Sequence, residues 1–134
     1  MAIDAIVANM DHVWSAIHDG QDSETTNEQR TAIKHLLQRF RDDGYPLLLM
    51  SEMDAGHLNS AISSTLGQDG VMYFSAILSS KPGAERYAVA LHTLETPPYR
   101  VMALSSSERE LQEARSFGIA RCLYLEDALN CIPI

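Results

Sequence analysis

"AIVANMDHVW", residues 5–14, decides how the chain is to be read, because an apolar run through Ile6 and Val7 ends in Asn9 and Asp11, two residues apart. The apolar run Ile3, Ala5, Ile6 and Val7 predicts a buried strand over about 3–9. Asn9 and Asp11 then stand where the strand would leave the sheet. Two carboxylates at that spacing could serve a metal-assisted nucleophile site. An amide followed by a carboxylate is a different proposition, since a neutral amide oxygen is a poor nucleophile and its nitrogen lone pair is delocalised.

Downstream of this stretch, "HDGQDSETTN" at 18–27 reads as a loop. From Asn27, a good N-cap, Ile33, Leu36, Leu37 and Phe40 fall at helical spacing until "RDDG" at 41–44 supplies a stop. "YPLLLMS", 45–51, reads as a second strand, near 46–51. Asp54 can cap a helix carrying Leu58, Ile62 and Leu66, ended by Gly67. "VMYFSAI" at 71–77 is the next strand candidate, placed near 71–75. Pro82 and Gly83 open a helix with Tyr87, Ala90, Leu91 and Leu94 on one face, broken at Pro97 and Pro98. "YRVMALS", 99–105, gives a strand near 100–105. "SERELQEARSFG", 107–118, gives a helix with Gly118 as its C-cap, and "ARCLYL", 120–125, a last strand. Strict strand and helix alternation predicts parallel strands joined by right-handed crossovers: a three-layer α/β domain whose crevice lies at the carboxyl ends of the strands.

The 134 residues suit one domain, 1–134, with a single core. Apolar runs such as "YPLLLM" are too short to span a bilayer and "MAIDAI" lacks a basic secretory n-region, so a cytoplasmic protein is expected. Cys122 and Cys131, with no ligand cluster near them, suit reduced thiols. Ten basic residues against eighteen acidic ones give a formal charge of −8, which repels a phosphate backbone. The one local basic cluster, Lys34 to Arg41, has the spacing of a solvated helix face. Neither nucleic acid nor a membrane is an expected partner. His12 and Trp14 read as packing and surface residues, and the methionines as core fillers.

Four polar stretches fall at the carboxyl ends of successive predicted strands: "NMD" at 9–11, Ser51, "SSKP" at 79–82 and "SSSERE" at 105–110. In order and context they make the chain resemble the haloacid dehalogenase-like (HAD) superfamily, most specifically through "ILSSKPGAERYAVALHTL" and "YRVMALSSSERELQEARSFGI". The resemblance implies a Rossmann-like, five-stranded parallel sheet in the order 5-4-1-2-3. It also implies a site. The family's first motif holds two aspartates, a nucleophile and a general acid and base, and these positions fall on Asn9 and Asp11. The second motif's hydroxyl falls on Ser51 and the third motif's lysine on Lys81, which makes both candidates for holding an anion. Counted back from Gly118 and Ile119, the fourth motif's acids fall on Ser106 and Glu110. Ala8 and His12 also depart from the aromatic residue and the glycine usual at their positions. Only the stretch from about 15 to 26 separates the first strand from the next helix, which leaves no room for the family's inserted cap domain.

With an amide at the nucleophile position the acyl-phosphate step is lost, and with Ser106 at a metal position Mg²⁺ is expected to bind poorly. No cofactor is expected, Mg²⁺ entering only with residual activity. The expectation is therefore an inactive HAD-like pseudoenzyme that works by binding, through a protein partner or by self-association. The alternatives are a residual phosphatase or other hydrolase using Asp11, and a sensor of a phosphorylated small molecule held by Ser51 and Lys81.

Overall fold

The structure, a computed structural model, describes residues 3–11, 24–68, 70–79, 85–119, 121–125 and 127. Among the described residues five parallel strands form one sheet: β1 (Ala5–Asn9), β2 (Leu47–Ser51), β3 (Ala76–Ser79), β4 (Val101–Ser105) and β5 (Arg121–Tyr124). Their spatial order is β3-β2-β1-β4-β5, the order expected, with Val7 opposite Leu48 on one side and Ala103 on the other. β1, β2 and β4 lie inside the sheet, which is why their sequences are continuous apolar runs.

Alternate side chains of the strands feed two cores. Ile6, Ala8, Leu47 and Leu49 meet Ile33, Leu36 and Leu37 of helix α1 (Glu24–Asp42) and Leu58, Ile62 and Leu66 of α2 (Ala55–Leu66). Ala5, Val7, Leu48, Met50 and Ala103 meet Tyr87 and Ala90 of α3 (Glu85–Leu94) and Leu111 and Ala114 of α4 (Glu108–Ser116). The result is the three-layer α/β arrangement that the alternation implies. Lys34, His35, Arg39 and Arg41 point to solvent from α1, so the basic cluster is a solvated face. Asp54 caps α2 as expected, its side chain accepting from the His57 N–H. No helix among the described residues is long and apolar enough to cross a membrane, and Cys122 carries a free thiol.

β1 and β2 start at Ala5 and Leu47, one or two residues inside the expected 3–9 and 46–51, and three further boundaries also differ from the sequence expectations. α1 begins at Glu24, not Asn27, so the last part of the expected loop is helical; apolar periodicity starts only at Ile33 and gives no mark for the earlier turns. "VMYFSAI" is not one strand. Gly70–Tyr73 is a 3-10 turn and β3 starts only at Ala76; Gly70 itself sits against α2 so closely that a Cβ would lie 2.7 Å from Leu66 Cβ. That turn carries Val71 and Met72 to the surface, while Phe74 is buried in the core. The cap of α4 is Phe117, with Gly118 following it at φ +84°, the left-handed conformation that glycine adopts without a Cβ penalty. Lys81, Pro82, Gly83, His12, Trp14 and Cys131 lie outside the described residues.

Candidate functional site

The strand order reverses direction of growth at β1, between β2 and β4, and the crevice of such a sheet opens there at the carboxyl ends. Asn9, Ser51 and Ser105 are the last residues of β1, β2 and β4, so parallel pairing brings all three to that edge. A cleft of about 440 Å³ lies beside them, lined by Asn9, Asp11, Glu52, Arg86, Ser105, Ser106, Ser107, Arg109, Glu110 and Glu113. Four of the residues singled out from the sequence, Asn9, Asp11, Ser106 and Glu110, thus share one cleft, and Ser51 joins them through Asp11.

Asn9 is buried and uses both ends of its amide. Nδ2 donates to Glu110 Oε1 at 2.7 Å, and Oδ1 accepts from the Asp11 N–H at 2.9 Å. Asp11 in turn accepts from Ser51 Oγ at 2.5 Å on Oδ1 and from the Glu52 N–H at 2.8 Å on Oδ2. Ser51 Oγ also accepts from the Met53 N–H at 3.0 Å. Its hydroxyl proton is therefore spent on Asp11. Ser105 Oγ donates to Glu110 Oε2 at 3.0 Å and accepts from the Ser107 N–H, tying β4 to the start of α4.

Arg86 was not singled out by sequence reasoning. Its side chain, 3% exposed, brings Nη2 to 2.9 Å from Glu110 Oε1 and 3.4 Å from Glu113 Oε2, and Nη1 to 3.3 Å from Glu52 Oε1. It also lies 5.8 Å from the centroid of the Tyr87 ring. A buried guanidinium is tolerable only when paired, and three carboxylates meet that condition. Burial pushes the Glu110 carboxyl above its ordinary range, opposed by the Arg86 charge and by the Asn9 and Ser105 hydrogen bonds. The available signal was positional: Arg86 lies one turn before Ala90, on the buried side of a helix whose other buried residue is Tyr87.

Magnesium needs hard anionic oxygens in octahedral array. Here the Asn9 oxygen is neutral and occupied, Ser106 offers a hydroxyl, and Glu110 is already held by Arg86, Asn9 and Ser105. This donor set does not fit Mg²⁺. No group of three or more His, Cys, Asp and Glu residues suited to a metal occurs among the described residues.

No protein-family model matches the chain, and no curated protein does. Solved structures do. CbbY from Rhodobacter sphaeroides in complex with phosphate matches with a TM-score of 0.68 at 16% identity, over 91% of this chain and 85% of that one. A putative β-phosphoglucomutase from Thermotoga maritima matches with a TM-score of 0.68 at 14% identity, over 96% and 97%. A HAD family enzyme from Bacteroides thetaiotaomicron, a magnesium complex, matches with a TM-score of 0.65 at 11% identity, over 92% and 93%. At such identities the likeness is one of fold, and a shared fold leaves the chemistry to be argued from the site.

Proposed function

We propose that this chain, whose fold is the haloacid dehalogenase-like one, does not run the phosphoryl-transfer chemistry associated with that fold and acts by binding a protein partner. The observation that carries this is the engagement of Asn9: its nitrogen faces Glu110 and its oxygen accepts from the Asp11 backbone, so no anionic oxygen is presented at the nucleophile position. Arg86 adds support. Its guanidinium already pairs with Glu110, the carboxylate that Asn9 and Ser105 also hold. Two of the similar structures hold phosphate and magnesium, whereas in this cleft the Ser51 hydroxyl and Glu110 are bound by the chain's own side chains.

A surface with a formal charge of −8 favours a partner with a basic face, since complementary potentials speed encounter and exclude wrong partners. Purification of the tagged chain from its native host under mild conditions tests this. A stoichiometric protein partner is the expected result. A chain recovered alone, monomeric at working concentration and without a bound protein, would contradict it.

A further inference from the structure

We infer that the Asp11 carboxylate is the resident ligand of an oxyanion seat made by the Ser51 hydroxyl and the Glu52 amide, so that the chain closes this seat from within. Each oxygen of the carboxylate takes one donor, Oδ1 from Ser51 Oγ at 2.5 Å and Oδ2 from the Glu52 N–H at 2.8 Å. The direction of the hydroxyl follows from its partners: an ionised carboxylate only accepts, so Ser51 Oγ donates to Asp11 while it accepts from the Met53 N–H at 3.0 Å. A seat with two convergent donors suits a carboxylate or phosphate oxygen pair and repels a cation. The seat and its ligand belong to the ends of the adjacent strands β2 and β1, separated by about forty residues of sequence and brought together by their parallel pairing.

Ser51 is fully buried, but Glu52 is exposed and both Asp11 and Glu52 line the cleft. An external oxyanion thus has a route to the seat and must displace Asp11 to use it. A tethered competitor acts at an effective concentration in the millimolar range or above, and lowers the apparent affinity of any free ligand in proportion. The inference deepens the proposed function and rests on it: with the seat filled internally, the Ser51 and Glu52 donors are closed to an external anion until Asp11 leaves them.

Titration with inorganic phosphate tests it, followed by calorimetry and by the NMR shift of the Glu52 amide, on the parent, Asp11→Ala and Asp11→Ala with Ser51→Ala. Asp11→Ala is expected to bind phosphate at least tenfold more tightly than the parent, with the Glu52 amide shifting, and the added Ser51→Ala to remove the gain. Equal binding by parent and Asp11→Ala, or a folded Asp11→Ala with no gain, would overturn it. Should Asp11→Ala not fold, Asp11→Asn keeps the shape and removes the charge: a gain in phosphate affinity supports self-occupation, and none overturns it. A parent that binds phosphate fully yet hydrolyses no ester overturns this inference alone. A parent that hydrolyses esters overturns the proposed function on which it rests.

Discussion

Asn9 Nδ2 and Glu110 Oε1 lie 2.7 Å apart, joined by a buried hydrogen bond across 101 residues of sequence. The Asn9 amide supplies the donor and the Glu110 carboxylate the acceptor. It links the end of the central strand to the first turn of α4, and Arg86 closes the arrangement by pairing with the same oxygen of Glu110 at 2.9 Å.

Replacing Asn9 by Asp sets a carboxylate against Glu110 in place of a donor. One of the two carboxyls must then take up a proton, so its folded pKa rises above the unfolded value. A folded pKa raised in this way means that the native state binds more protons than the unfolded state, and stability falls as pH rises through that window. Asn9→Asp is expected to lose about 1–3 kcal/mol at pH 7.5, with the loss shrinking towards pH 4. Urea unfolding of parent and variant at the two pH values measures it.

Arg86→Ala leaves Glu110 buried without its ion pair. Removing one partner of a buried pair costs about 3–5 kcal/mol, far more than an exposed pair is worth. Burial already pushes the Glu110 carboxyl up, and loss of the guanidinium pushes it further in the same direction. The variant, more steeply than the parent, is therefore expected to lose stability as pH rises above the ordinary carboxylate range. Thermal unfolding from pH 4 to pH 8 reads the difference in slope.

Much of this architecture was legible because the physics was local. β1, β2 and β4 are covered on both faces, so their runs are apolar throughout, and Asp54 and Gly67 bracket α2. β3 was misplaced because it is an edge strand with alternating half-buried and exposed residues, preceded by an apolar 3-10 turn that mimics a strand. Asn9, Asp11, Ser106 and Glu110 in the cleft, and Ser51 bonded to Asp11 beside it, were found by their spacing and by resemblance. Arg86 was not, since its role depends on carboxylates from β2's end and from α4 that only the fold assembles. For the same reason nothing in the sequence told that Ser51 would spend its proton on Asp11.

Gly70→Ala tests the account of the turn before β3. The new Cβ would lie 2.7 Å from Leu66 Cβ and 2.8 Å from Ile62 Cγ2, inside the apolar core, so either α2 or the turn must move. Overpacking of this kind costs about 1–3 kcal/mol. Chemical denaturation is expected to show a lower midpoint with an unchanged slope, the sign that stability and not compactness has changed.

Release of inorganic phosphate from phosphate esters in the presence of Mg²⁺ tests the central claim most directly. Parent protein is expected to give the rate of a protein-free control, because Mg²⁺ cannot supply the oxygen nucleophile that Asn9 lacks. Magnesium-dependent release above that control, abolished by Asp11→Ala, would contradict it.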